Sequence, residues 1–324
     1  MKAIIQERFG PPDVLRLVDT DRPEVGADDV LVRVNAAALN PYDWHMLRGD
    51  PLVARLMGVG LTKPKAPVAG VDAAGVVEAV GSNVREMRPG DEVLGRCRGA
   101  FAEYACAAQD KVVPKPASLT FEQAAAVPMA ATTALRGIRD VGEVKAGQRV
   151  LVIGAGGGIG TFAVQIAVAM GAEVTGVCST GNVELVRSLG AAHVIDYTTQ
   201  DFTDGQTRYD VILDNVSSLP LAQLRRVLTP KGILVLNGGG SPGHVFGPIG
   251  GILKAVVVNL FVSQRLRPLP AKQKRDELLA LTALIEDGKL TPIVDRTYPL
   301  ADTAEALSYV EQGHARGKVI VTVA

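Results

Sequence analysis

The chain is poor in the residues that mark several common kinds of protein. It has three cysteines in 324 residues, Cys97, Cys106 and Cys178. Their number is odd and none stand in C-x-x-C spacing, so neither a disulfide framework nor a structural zinc cluster is expected. A reducing, cytoplasmic setting fits this usage, and "MKAIIQERFG" has no apolar leader core. Charge of one sign is not in excess. Lys plus Arg and Asp plus Glu number 34 each, with no basic stripe, which argues against nucleic acid or a membrane surface as partner. The longest apolar run, "IGGILKAVVVNLFV", is cut by Lys254 and falls short of the roughly 20 residues that span a bilayer. The expected partners are small molecules or a second copy, and the length suits about two domains.

What is present changes style along the chain. Up to about residue 115 the text reads as short β segments between turns: "KAIIQE", "DVLVRVNAAALN", "GVVEAVG", "DEVLG" and "AEYACA". At Thr120, "TFEQ" matches a capping box and opens an alanine-rich helical run to about Asp140. From Val150, apolar strands ("VLVI", "EVTGVC", "HVIDY", "DVILDNV", "GILVLN") alternate with segments of helical spacing, and Gly171 and Gly190 fall where helix ends favour glycine. That alternation predicts an α/β, doubly wound parallel sheet. The tail returns to the first style, with a helix near "KRDELLALTALIEDG", a strand near "VDRTYPL", a helix after Asp302 and a final strand "KVIVTV".

Between the first strand and helix of the α/β region lies "VLVIGAGGGIG". Counted back from Gly160, the dinucleotide fingerprint G-x-G-x-x-G has Ala155 in its first place and Gly157 and Gly160 in the others. Gly156, Gly158 and Ile159 fill the turn. A turn without side chains lets a diphosphate approach the backbone at a helix N-terminus. Gly157 suits the close approach, Gly160 the packing of helix on strand, and Ala155 is tolerable at negative φ. A plain flexible connector is the bland alternative; the matching flanks argue against it.

The end of the second strand, about 20 residues on, discriminates between dinucleotides. Here "VTGVCSTGN" offers no carboxylate, while Ser179, Thr180 and Asn182 can donate to a 2′-phosphate, so NADP(H) is the expected cofactor. Arg187 lies further on, and Tyr197 is placed on the adenosine side. A capped turn or a solvated helix face is the competing reading of each.

With these parts in place, the chain resembles the medium-chain dehydrogenase/reductase superfamily over nearly its full length. The stretches "NPYDWHMLRG", "PVAGVDAAGVVEAVG", "RPGDEVLG", "GAFAEYACA" and "GAGGGIG" are most similar to its zinc-independent, zeta-crystallin-like quinone oxidoreductase branch. The resemblance implies a mostly β GroES-like catalytic domain over 1–120 and 266–324 and a Rossmann domain over 121–265. In zinc-dependent relatives Cys, His and Cys stand where this chain has Asn40 or a near neighbour, Val71 and Met129. Zinc catalysis needs about three converging ligands and an open position, which Val71 and Met129 cannot supply. Asp72, Asp43 and His45 remain as an unorthodox ligand set, but no metal is expected.

Without a metal, a simple alcohol loses its main source of activation. Hydride addition to a conjugated alkene or quinone asks less, because the developing negative charge is delocalised and can be met by hydrogen-bond donors. The resemblance implies the same chemistry: NADPH-dependent reduction of a quinone or an α,β-unsaturated carbonyl. Asn40 is expected to offer its amide near the nicotinamide or the substrate oxygen, with Asp43 orienting it. Thr133 aligns with a threonine beside the nicotinamide, and Tyr42 and Trp44 form an apolar wall. Proton donation by Tyr42 and by solvent both stay open, as do a turn for "NPYD" and core packing for Trp44. His45 is read equally as a surface residue or a proton shuttle, and His193, His244 and His314 as structural or solvated.

Asn215 and, in "NGGGSPG", Gly238 and Gly239 complete the expected cofactor contacts. "VVVNLFVS" reads as an apolar edge strand, and the resemblance implies that such an edge pairs with a second subunit; an unpaired edge invites aggregation, so a homodimer is expected. Phe261 and Val262 are carried weakly as facing the nicotinamide, and Lys318 is given no function. Two other readings stay open: a zinc-free alcohol or carbonyl dehydrogenase, and a non-enzymatic NADP(H)-binding sensor.

Overall fold

A computed structural model describes residues 1–50, 55, 60–237, 255, 257–270 and 274–323. The chain divides into two compact units. One comprises Met1–Thr132, Gln273–Gly288 and Pro292–Ala324, the other Thr133–Lys272 and Lys289–Thr291. In chain order the first unit begins with β1 (Lys2–Ile5), β2 (Arg16–Asp19), β3 (Asp29–Ala38), α1 (Pro41–Arg48), β4 (Asp72–Val80), β5 (Glu92–Arg96), β6 (Tyr104–Ala108), β7 (Val112–Pro114) and α2 (Phe121–Ala125). Helix α3 (Pro128–Leu135) then leads into the second unit. That unit holds β8 (Arg149–Ile153), α4 (Gly158–Ala169), β9 (Glu173–Cys178), α5 (Val183–Ser188), β10 (His193–Asp196), β11 (Tyr209–Asp214), α6 (Leu221–Arg226), β12 (Leu228–Leu236) and β13 (Arg265–Pro268). The chain returns to the first unit with α7 (Arg275–Glu286), β14 (Val294–Pro299), α8 (Thr303–Glu311) and β15 (Lys318–Thr322).

The first unit is built on a seven-stranded sheet in the order β14-β15-β3-β4-β5-β7, with β6 also pairing β3. Its pairs are antiparallel except β14 with β15. Strand β3 is central because both its faces are covered: Val30, Val32 and Val34 point into the core, and Ala36, Ala37 and Ala38 are fully buried. Phe101, Leu39 and Leu47 fill the same core. Each side chain of this size contributes about 1.5–3 kcal/mol by leaving water. The final strand, β15, lies between β14 and β3, so residues near position 320 sit beside residues near position 37.

The second unit is the doubly wound α/β structure expected from the sequence. Its six strands are all parallel, in the order β10-β9-β8-β11-β12-β13. Leu151, Val152, Ile212, Leu213, Leu234 and Val235 are fully buried, as a sheet covered on both faces requires. The strand order reverses between β8 and β11, the switch point beside which such sheets bind ligands. Gly171 and Gly190 follow α4 and α5 in left-handed conformation, the role expected of them.

The observed elements differ from the sequence reading in three places. The alanine-rich run is interrupted: α2 ends at Ala125, Pro128 starts α3, and a π-helical turn occupies Arg136–Val141. The Thr120 capping box is present, with Gln123 N–H donating to Thr120 Oγ1 at 3.3 Å and Thr120 N–H to Gln123 Oε1 at 3.1 Å. Yet α2 packs on β3 and β4, so the compact units divide at Thr132 rather than at 120. In "VVVNLFVS", residues 257–259 are helical and the edge strand is β13. A short apolar run carries no period, and length alone did not separate helix from strand there.

Candidate functional site

In the second unit, strand β8 runs into the glycine turn. Gly154 adopts φ +76°, so the left-handed residue of the bend lies one place before the fingerprint, and Ala155 is under no such demand. Gly154 and Ala155 N–H both donate to Val177 O, at 3.1 and 3.0 Å, which ties the bend to β9. A Cβ at Gly160 would lie 2.0 Å from Gly154 O and 2.7 Å from Ala155 Cα, so only glycine allows α4 to sit this close to the strand end. At Gly157 the nearest atom to an added Cβ is Gly154 O, at 3.5 Å, so among the described residues that space is open. Among the described residues no side chain caps α4, and no acidic residue stands in its first turn. Uncapped amides, the positive end of the helix dipole and a bare backbone together form an anion cradle suited to a diphosphate.

Beside it, the loop after β9 holds Ser179, Thr180 and Asn182. Asn182 Nδ2 donates to Ser179 Oγ at 3.3 Å, while its Oδ1 is buried without a partner among the described residues. A Cβ at Gly156 would meet Asn182 Cγ at 2.7 Å, so this amide lies against the turn. Thr180 Oγ1 donates to Asp196 Oδ2 at 2.6 Å. This corrects the expectation that no carboxylate faces the loop, because the acid comes from the neighbouring strand β10. Hydrogen bonds from Thr180 and Thr198 hold Asp196 below the ordinary carboxylate range, hence ionised. Arg187 is engaged by Glu184 at 2.5 Å, and Tyr197 is 58% exposed. Beyond the switch point, Asn215 Nδ2 donates to Ile153 O at 3.2 Å and Asn237 Nδ2 to Asn215 Oδ1 at 3.0 Å, so polar groups link the ends of β8, β11 and β12. Gly238, Gly239 and His244 lie outside the described residues.

In the first unit, "NPYD" is the start of a helix. Asn40 is the N-cap of α1, Pro41 its first residue, and Asp43 Oδ2 accepts Asn40 N–H at 2.7 Å. The Asn40 side chain is 2% exposed, and both ends of its amide are bonded within the unit. Oδ1 accepts from Lys318 Nζ at 2.6 Å; Nδ2 donates to Asp72 Oδ2 at 3.1 Å and to Ala38 O at 3.3 Å. Lys318 Nζ also donates to Leu39 O. Asp72 Oδ2 further accepts Met129 N–H at 3.0 Å, and its buried Oδ1 has no partner among the described residues. Burial opposes charge on all three ionisable groups. It raises the Asp43 carboxyl to about 7, against the Asn40 N–H bond and the nearby Lys318 and Arg96, raises Asp72, and lowers Lys318. Burial, with Asp72 nearby, outweighs the pull of Lys318 and Arg96 on the Asp43 carboxyl.

Of the other expected residues, Tyr42 is 39% exposed on α1, with the Arg96 guanidinium 5.8 Å above its ring. Trp44 packs on the core and stacks on His45, centroids 3.7 Å apart, and His45 Nδ1 lies 3.0 Å from Asp50 O. Thr133 is on α3 and belongs to the second unit. Sequence reading missed Lys318, which is 4% exposed at the head of β15. A lysine opening an otherwise apolar buried strand was the available signal. Among the described residues, no three His, Cys, Asp or Glu side chains converge as metal ligands, and no helix is long and apolar enough to cross a membrane. Burial pushes the Cys97 thiol up to about 12, which makes it unreactive.

Comparison with known proteins agrees with this architecture. Residues 26–117 match the family model described as alcohol dehydrogenase GroES-like domain, and residues 189–321 the one described as zinc-binding dehydrogenase. The NADPH-dependent alkenal/one oxidoreductase, chloroplastic, of Arabidopsis thaliana is 34% identical over 336 residues, covering 99% of this chain and 79% of that protein. The quinone oxidoreductase from Coxiella burnetii superposes with a TM-score of 0.86 at 32% identity, covering 100% of this chain and 99% of that one. The Escherichia coli quinone oxidoreductase complexed with NADPH gives 0.84 at 27% identity, over 99% and 100%. The chain therefore belongs to the medium-chain dehydrogenase/reductase superfamily, in its quinone oxidoreductase branch.

Proposed function

We propose that the protein is a zinc-independent reductase that uses NADPH to transfer hydride to a quinone or an α,β-unsaturated carbonyl. The observation that carries this reading is the glycine turn, where an uncapped helix N-terminus faces space left open at Gly157. The turn from Ala155 to Gly160 would hold the diphosphate through backbone amides. Ser179, Thr180, Asn182 and Tyr197 would line the adenosine end, and Asn215, with Gly238 and Gly239, the other ribose. When bound, NADPH supplies a hydride to the electron-poor carbon of the substrate. The C=C pair would shift toward the carbonyl carbon as the C=O π pair takes up charge on oxygen, and a proton would complete the product. Tyr42, exposed on α1, is one source of that proton and solvent the other. Asn40, held by Lys318, Asp72 and Asp43, is too buried and too fully bonded to offer its amide to a ligand, so its role would be to fix the start of α1, which carries Tyr42; Thr133 would serve the cofactor. The side chains Asn40, Val71 and Met129, in the places where zinc-dependent relatives carry ligands, support the zinc-independent form of the reaction.

A homodimer is part of the proposal. Val257, Leu260 and Phe261 are 56%, 77% and 82% exposed, close in sequence to edge strand β13, and a second copy would cover them. Three free, buried cysteines suit a reducing compartment such as the cytoplasm. The test follows nicotinamide absorbance with quinones, enals and enones beside simple aldehydes and alcohols, together with zinc analysis of the purified protein. Turnover on the conjugated substrates without stoichiometric zinc is expected. Turnover confined to alcohols, or tight cofactor binding with none at all, would overturn the reading.

A further inference from the structure

Strand β9 ends without the acid that dinucleotide-binding sheets often place on the adenosine ribose, yet the structure supplies one from the side. Strand β10 runs parallel to β9 in the register His193↔Thr175 through Asp196↔Cys178. Asp196 therefore closes β10 level with the last residue of β9, and Tyr197 N–H donates to Cys178 O at 3.1 Å. Its carboxylate reaches the β9 loop and is held on both oxygens. Thr180 Oγ1 donates to Oδ2 at 2.6 Å, and Thr198 donates to Oδ1 from Oγ1 at 2.7 Å and from N–H at 3.0 Å. The Thr180 hydroxyl is thereby turned toward the acid. The adjacent free group, Asn182 Oδ1, is also an acceptor. No Lys or Arg lies in the stretch from Ser179 to Asn182, and Arg187 is engaged by Glu184. A loop that recognises a 2′-phosphate through charge would present donors and cations. This one presents a fixed negative charge, beside an acceptor, Asn182 Oδ1, that is buried without a partner among the described residues.

We propose that Asp196 is the cofactor-specificity residue: from the third strand it does what an acid at the end of the second strand does elsewhere, favouring a free ribose 2′-hydroxyl and opposing a 2′-phosphate. NADH is then a competent cofactor beside NADPH, and the preference for NADPH is held down by this one charge. The inference rests on the dinucleotide reading of the glycine turn.

The test is direct binding of NADPH and NADH, read by nicotinamide fluorescence without substrate, in the wild-type protein and in Asp196→Asn. The substitution keeps the side chain's size and removes the charge. NADPH should bind roughly tenfold more tightly to the variant while NADH is unchanged or weaker, and the gap should narrow as salt rises, since the group is near the surface. Asp196→Ser provides the same charge removal if the asparagine variant does not fold. A Kd ratio for the two cofactors that stays at the wild-type value, or equal shifts in both, overturns the proposal. If wild-type protein binds neither cofactor, the glycine-turn reading fails, and with it the proposal; that outcome is distinct, because it is seen before any substitution is made.

Discussion

Positions 154 to 160 of the second unit work by what they omit, whereas around Asn40 in the first unit four side chains fill every available place. At the turn, a missing Cβ at Gly160 lets α4 touch the strand end and a missing Cβ at Gly157 leaves room for a ligand. Around Asn40 an amide, two carboxyls and an ammonium are buried together and satisfy one another almost completely. In the first arrangement an added methyl is excluded at Gly160 and only crowds the open space at Gly157. The second tolerates change only where charge and hydrogen bonds are kept. Both are rigid, for opposite physical reasons.

Removing the cation should have the largest effect. Lys318→Met leaves Asp43 and Asp72 buried with no ammonium and frees Asn40 Oδ1, and is expected to cost about 3–5 kcal/mol, read by chemical denaturation. An unchanged midpoint would show that the cluster is not held by its charge. Next come the two glycines. Gly160→Ala must push against backbone and should destabilise by about 1–3 kcal/mol. Gly157→Ala, with its nearest neighbour at 3.5 Å, should melt like the wild type yet bind NADPH at least roughly tenfold more weakly. Equal melting losses in both variants would erase the distinction between packing and ligand space.

A gentler probe is pH. Because folding raises the Asp43 pKa from 3.8 to about 7, the native state holds a proton that the unfolded chain has already lost in that interval. This group's contribution is therefore full below the unfolded value and is lost as pH rises toward the folded one. Asp43→Asn should lose that decline relative to wild type while still accepting the Asn40 N–H bond. Identical slopes in urea-melt stability between pH 4 and pH 7, values set by those two limits, would remove Asp43 from the titration. The smallest effect on stability is expected at Tyr197, whose ring is largely exposed. Tyr197→Ala should stay within about 0.5 kcal/mol of wild type while weakening NADPH binding. Unchanged affinity would take the phenol off the adenosine side.

The same contrast explains what could be read from the residues in order. The glycine turn, the Thr120 cap and the α/β alternation are local: each signal spans a few neighbours, and each is found where it was expected. The cluster is not local. Asn40 meets Asp72 because β3 pairs with β4, and Lys318 joins them only because β15 inserts beside β3; no spacing announces either pairing. Asn40 stood out in the sequence as an expected site residue, but its bonding to Lys318 could not be read there. The Asp196 carboxylate was hidden in the same way, since reading along β9 gives no view of the strand beside it. "VVVNLFVS" failed for a different reason: an apolar run without polar punctuation fits a buried helix as well as a strand.

The late arrival of β15 bears on how the protein is made. As the chain leaves the ribosome, β3 and β4 are complete long before residues 318–322 emerge, while the second unit has its whole parallel sheet by Pro268. The later unit in sequence is thus free to fold first. The earlier one stays incomplete, its sheet open between β14 and β3, until β15 brings the lysine that bonds Asn40.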